Sequence, residues 1–248
     1  MIKKQTLTLS LAAALFGFTA LAATNPTLPA AGQSMDAAIE KYLMDHPEVI
    51  MKSLTGFQVK QKQAAQERAR QAVAAEREFL VNDPSSPSAG NPKGVTIVEF
   101  FDYRCGYCKK ASSTVAKLLE MNPNVRVVFK ELPILGAESM YAAKASLAAQ
   151  KQGAYLKFHA ALFAAAEPVS MALIERTATG LGLDLAKLKA DMNTPEVDQM
   201  IVQNNELAEK LQVRATPTFV IGNEVIAGAV DADRLNSLVA AEAAAALK

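Results

Sequence analysis

Cys105 and Cys108 are the only cysteines in 248 residues, and they stand three apart around Gly106-Tyr107. At the opening of a helix that follows a strand, this spacing lets the two sulfurs close a disulfide within one helical turn. It also puts the first sulfur where unpaired backbone N–H groups and the positive end of the helix dipole favour a thiolate. Cys105 is therefore expected to be the acidic, exposed, attacking sulfur, and Cys108, one turn in, the more buried sulfur that resolves a mixed disulfide. A disulfide that merely tethers the turn is disfavoured, because so short a loop gains little stability from closure. A zinc site would need a second cysteine pair, and His46 and His159 are far away in the sequence. The reading is a redox-active Cys105–Cys108 pair with no metal and no other cofactor.

Several elements must position this pair. Val95 to Phe101 is short, apolar and β-branched, the pattern of a buried strand. Lys109 to Met121 reads as a helix and Val125 to Leu132 as a second strand, which together make a parallel βαβ unit with a right-handed crossover. Residues 137–211 keep helical spacing, broken at Gly153, Pro168, Gly180-Leu181-Gly182 and Asn193-Thr194-Pro195. Thr218 to Ile221 and Glu224 to Ala227 form two short strands about Gly222-Asn223, and Asp231 opens a last helix. The layout is α/β, a βαβ half and a ββα half separated by a helical insertion.

The run Val98-Glu99-Phe100-Phe101-Asp102-Tyr103-Arg104-Cys105-Gly106-Tyr107-Cys108, with Val213-Arg214-Ala215-Thr216-Pro217-Thr218-Phe219 downstream, resembles the DsbA-like branch of the thioredoxin-fold disulfide oxidoreductases. The resemblance covers roughly Val95 to Lys248 and implies a thioredoxin fold with a helical insertion. It also implies a cis Pro217 facing the active site, with the backbone beside Thr216 holding an extended client segment next to Cys105. Thr216, Pro217, Gly106 and Tyr107 make up the expected substrate-binding set. Glu99 stands where the family keeps a buried carboxylate near the second cysteine, and strand alternation puts it on one face with Ile97 and Phe101. A desolvated carboxyl there has a raised pKa suited to taking the proton of Cys108. Asp102, Tyr103 and Arg104 are expected on the surface around the site, with Arg104 placed to steady a thiolate. Gly106-Tyr107 departs from the Pro-His of the strongly oxidising DsbA and matches the Gly-Tyr of the isomerase DsbC, and Thr216 before Pro217 also resembles isomerases. Between such relatives the potential differs by roughly 60 mV, about 2.8 kcal/mol.

Ahead of this region, Met35, Ile39, Tyr42 and Leu43 recur at helical spacing behind a possible cap at Ser34, and a second helical pattern runs from Pro47 to about Val81. Its apolar stripe of Ile50, Leu54 and Phe57 gives way to a stretch of Gln, Ala, Lys, Arg and Glu too poor in large side chains to be explained by packing on its own domain. Two readings follow: a solvated linker helix, or an extended oligomerisation arm in which Ile39, Leu43, Ile50, Leu54 and Phe57 are buried against partner copies. The second implies a homo-oligomer, dimer or trimer, and resembles the layout of the ScsC and DsbA2-type members of the family. Residues 83–93, rich in Pro, Ser, Asn and Gly, read as a linker between an arm at 23–82 and a catalytic domain at 94–248.

Lys3 and Lys4, an apolar run from Leu7 to Phe18 and the small residues Ala20-Leu21-Ala22 follow the order of a cleaved secretory signal, residues 1–22. Formal net charge is +1, and removal of Lys3 and Lys4 leaves 24 basic against 25 acidic residues, so no basic field for nucleic acid exists. The combined expectation is a periplasmic disulfide isomerase or reductase acting on exported, disulfide-bearing clients and kept reduced by a DsbD-like membrane reductase. The alternative is a DsbA-type oxidase, or a bifunctional enzyme, recharged by a DsbB-like partner. A more remote one is a copper-binding protein with the dithiol as a soft ligand.

Overall fold

A computed structural model describes residues 34–245 of the chain. The expected export segment, 1–22, lies outside the described residues. The chain divides into two units, Met1–Gly56 and Phe57–Lys248.

In the first unit, helix α1 (Met35–Asp45) starts on Ser34, whose hydroxyl accepts the Ala37 amide at 3.3 Å and so satisfies one of the free donors of the first turn. The helix ends before His46-Pro47, since a residue preceding proline resists the helical conformation. Pro47 then opens helix α2 (Pro47–Ala75), where its missing N–H costs nothing. No residue of α1 is buried, and Met35, Ile39, Tyr42, Ile50 and Leu54 are all exposed.

The second unit is built on a five-stranded sheet in the order β1-β3-β2-β4-β5: β1 (Ser88–Gly90), β2 (Val95–Phe101), β3 (Val125–Glu131), β4 (Thr218–Ile221) and β5 (Glu224–Ala227). Strands β2 and β3 are parallel, joined by helix α3 (Gly106–Met121), and the other pairings are antiparallel. Helices α4 (Ala137–Gln150), α5 (Tyr155–Ala164), α6 (Met171–Gly180), α7 (Leu185–Asp191) and α8 (Pro195–Lys210) form the insertion, and α9 (Ala232–Ala245) closes the fold. Strand alternation sorts the core in two. Ile97, Phe101, Phe129 and Phe219 face α3, α9 and the insertion, while Val98, Phe100, Val128 and Val220 face the end of α2, its following π-helical turn (Glu78–Asn82) and the end of α8.

Two findings differ from the sequence expectation. The stretch 83–93 carries β1, which pairs along the free edge of β3; Gly90 sits there at φ 85°, and a Cβ on it would meet the Val125 carbonyl oxygen at 2.3 Å. The polar stretch that ends α2 is also not solvated throughout, because Val73, and Leu80 in the turn after it, are buried on the second face of the sheet. A buried cation fastens the same segment: Lys130 donates to Asp83 Oδ2 at 3.0 Å, Ser86 Oγ at 2.7 Å and the Phe79 carbonyl at 2.8 Å. Among the described residues no helix is long and apolar enough to cross a membrane.

Candidate active site

The chain leaves β2 at Phe101 and turns through Asp102, Tyr103 and Arg104 into α3, with Cys105 as its N-cap residue. The Cys105 amide donates to the Asp102 carbonyl at 3.1 Å, closing that turn. Both cysteines are free thiols. Cys108 is fully enclosed, whereas Cys105 keeps 9% of its surface. The relative order is the expected one, but Cys105 is much less exposed than the sequence suggested, because the turn and the loop before β4 close over it. Its thiol donates to the Thr216 carbonyl at 3.2 Å, and the Thr216–Pro217 peptide bond is cis. Pro217 is buried and Thr216 half-buried, while Gly106 and Tyr107 are exposed between the sulfurs. Cys105 opens into a groove of 310 Å³ lined by Tyr103, Arg104, Gly106, Lys109 and Phe163 among others.

Burial pushes the Cys108 thiol well above its ordinary range, although the Asp102 backbone and Thr216 pull it partly back. Glu99, on the same face of β2 as Ile97 and Phe101, is also buried, and that desolvation raises its carboxyl to about 8. Its Oε2 has no hydrogen-bond partner. With that oxygen unpartnered, burial favours the protonated acid over the carboxylate.

The turn itself departs from expectation. Asp102 and Tyr103 are buried, not surface residues. The Asp102 carboxylate accepts from the amides of Arg104 (2.7 Å), Ile134 (2.9 Å) and Leu135 (3.0 Å) and from Ser139 Oγ (2.8 Å). Arg104 reaches the Leu135 carbonyl at 2.6 Å and Glu138 at 3.1 Å, so its guanidinium braces the segment after β3. Behind the turn lies a cluster that the sequence reading did not identify. Tyr103 and Tyr155 both donate to Glu131 Oε1, at 3.2 and 2.8 Å, and Tyr103 Oη lies 3.1 Å from His159 Nδ1. Burial raises the Glu131 carboxyl well above its ordinary value and lowers His159 to about 3, so the imidazole is neutral at pH 7. The signal was present as Lys130-Glu131, two charged residues ending a strand otherwise fit for burial.

The family model of the DSBA-like thioredoxin domain matches residues 96–240. A thioredoxin-like oxidoreductase from Silicibacter pomeroyi DSS-3 is 44% identical over 66% of this chain and 96% of that one, with a TM-score of 0.65. Proteus mirabilis ScsC in a transitional conformation is 32% identical over 84% of this chain and 95% of that one, again with a TM-score of 0.65. The disulfide bond formation protein D of Bacillus subtilis (strain 168) is 27% identical over 60% of this chain and 72% of its own length. Similarity extends to Na(+)/H(+) antiporter NhaA 3 of Salinispora tropica, 29% identical over 74% of this chain, which spans only 29% of that protein's length. Matched over more than half its length by that family model, and setting its two sulfurs against a cis proline on a mixed sheet, the chain belongs to the DsbA-like thioredoxin family.

Proposed function

We propose that the protein isomerises and reduces wrong disulfides in exported clients of the periplasm, working as a homo-oligomer held together by its N-terminal helices. The observation that carries the choice of isomerase is the first unit, whose apolar residues Ile39, Ile50 and Leu54 are exposed in a single copy of the chain. Burial of that stripe against further copies places several active sites on one particle, which makes a second encounter with the same client intramolecular. Gly106-Tyr107 between the sulfurs supports the same reading.

The chemistry follows from the geometry. A client segment lies along the groove beside Thr216, and the Cys105 thiolate attacks one sulfur of its disulfide. The client S–S bond breaks, a Cys105–client bond forms, and the departing client sulfur leaves as a thiolate that takes a proton from water. A second client thiolate can then attack the client sulfur of the mixed disulfide, which forms a new client disulfide and returns Cys105 with no net change in oxidation. Alternatively Glu99, once it has lost its own proton to water, takes the proton of Cys108 as Cys108 attacks Cys105 Sγ. The client then departs reduced by two electrons, leaving a Cys105–Cys108 disulfide for a DsbD-like membrane reductase to reduce. Glu99 suits the proton transfer because burial makes its carboxylate a stronger base than an exposed one.

A second reading, a dithiol oxidase recharged by a DsbB-like partner, is favoured by the name of the Bacillus subtilis relative, a disulfide bond formation protein. Refolding of a scrambled ribonuclease by the mature reduced protein, with its mass measured by sedimentation, separates the two. Recovery of ribonuclease activity by a particle of two or more copies is expected. A single-copy particle that oxidises reduced ribonuclease but leaves the scrambled form inactive would establish the oxidase.

A further inference from the structure

Glu131 closes β3 directly beside Phe101, the last residue of β2, at the point where the chain departs for the active-site turn. Three elements converge on it. Tyr155 of α5 donates to its Oε1 at 2.8 Å, Tyr103 of the turn donates to the same oxygen at 3.2 Å, and Asn204 of α8 donates to its backbone carbonyl at 3.2 Å. The Tyr103 hydroxyl has one proton, so with that proton on Glu131 its oxygen accepts from His159 Nδ1–H, which fixes the tautomer of a neutral imidazole. The ring of His159 is wedged among Phe101, Phe129 and Phe163, with centroids 4.7 to 4.9 Å apart.

We propose that Glu131 is a positioning residue for thiol exchange: through the Tyr103 hydroxyl it holds the 102–105 turn, and with it Cys105 at the cap of α3 and one wall of the client groove. This rests on the thiol-exchange reading of the same site and adds a residue that touches neither sulfur. The reason to expect an effect on chemistry is placement. Tyr103 is two residues from Cys105 and lines the groove, its ring is enclosed, and its hydroxyl is anchored from inside by Glu131 and His159. Loss of the anchor leaves the aromatic packing intact but lets the turn choose its depth, and a displacement of about 1 Å at the attacking atom can cost up to a hundredfold in rate.

Two single hydroxyl deletions make the test. Tyr103→Phe and Tyr155→Phe each remove one O–H from the same carboxyl oxygen, at equally buried positions, but only Tyr103 belongs to the turn. Steady-state reduction of a disulfide-linked peptide by the full mature protein, together with the melting temperature, is measured for both and for Glu131→Leu and Glu131→Gln. The expected result is similar losses of melting temperature for the two phenylalanine variants. Tyr103→Phe should also lower kcat by about tenfold with little change in KM, and Tyr155→Phe should leave kcat within twofold. Glu131→Leu should lose kcat as Tyr103→Phe does, and Glu131→Gln, which still offers an amide oxygen to both phenols, should recover most of it. Equal kcat for Tyr103→Phe and Tyr155→Phe, whether both fall or neither does, overturns the proposal even if Glu131→Leu fails to fold. Retention of exchange by wild type throughout keeps this outcome separate from failure of the thiol-exchange reading itself.

Discussion

The two units treat apolar surface in opposite ways. In the first, 11 residues of α1 contribute no buried side chain, and an apolar stripe from Met35 to Leu54 faces outward. In the second, even acids are enclosed: Glu99, Asp102 and Glu131 all lie beneath the surface around the sulfur pair. Burial of an acid is costly, and at Asp102 it is offset by the four hydrogen bonds that fix the active-site turn. An exposed apolar stripe is equally unfavourable in water and is relieved by association. The second unit thus carries its site in its own interior, whereas the role proposed for the first is toward other copies.

Leucine substitutions on either side of Gly56 give the largest contrast. Leu80→Ala, in the core of the second unit, is expected to lower unfolding stability by about 2–5 kcal/mol in urea denaturation. Leu54→Asp should leave that transition in place and instead reduce the sedimenting mass toward one copy. Truncation sharpens the same contrast. Removal of residues up to Gly56 should leave a stable, monomeric oxidoreductase, while removal up to Asn82 strips Val73 and Leu80 from the sheet and should destabilise what remains.

The next effect is a dependence on pH. Burial raises Glu99 from 4.5 to about 8, so the folded state holds its proton more tightly than the unfolded state does. The contribution to stability is complete below pH 4.5 and is lost as pH rises through 8. Glu99→Gln should remove this decline, making the protein more stable than wild type at pH 8 by an amount of the order of a few kcal/mol in chemical denaturation, while slowing release of trapped clients. Asp83 runs the other way. Burial alone would raise it, but bonds from Ser85, Ser86 and Lys130 lower it from 3.8 to about 2, so its contribution is complete above pH 4 and lost as pH falls toward 2. Asp83→Asn, which leaves buried Lys130 short of its counter-charge, should cost about 1–3 kcal/mol at pH 7 and flatten the acid limb of the stability curve. The smallest effect belongs to the first unit: Ser34→Ala should cost α1 about 1 kcal/mol, visible as lost helicity by circular dichroism.

Much of this was legible in the residues. The bounds of β4 and β5 follow from β-branched runs around Gly222-Asn223, and the helical insertion from its periodicity. β1 was not legible because Ser88-Ala89-Gly90 has no strand-forming side chains; it is a strand only because β3 has a free edge to pair with. Asp102 and Tyr103 were misplaced for a related reason. Polar residues in a turn ordinarily meet water, and only the tertiary arrangement supplies three of the four donors to Asp102 and the Glu131 carboxyl to Tyr103. The end of α2 read as solvated because Val73 is its one large apolar residue there, set among alanines and long polar side chains; it is held on the sheet with Leu80 of the following turn, next to the buried Lys130–Asp83 bond.

Which sulfur attacks is tested most directly by mass spectrometry of the adduct formed with a disulfide-linked peptide. Cys108→Ser should accumulate a single mixed disulfide at Cys105, and Cys105→Ser, with enclosed Cys108 intact, should form none. A stable adduct on Cys108 in the second variant, or none on Cys105 in the first, would contradict the assignment of Cys105 as the exchanging sulfur.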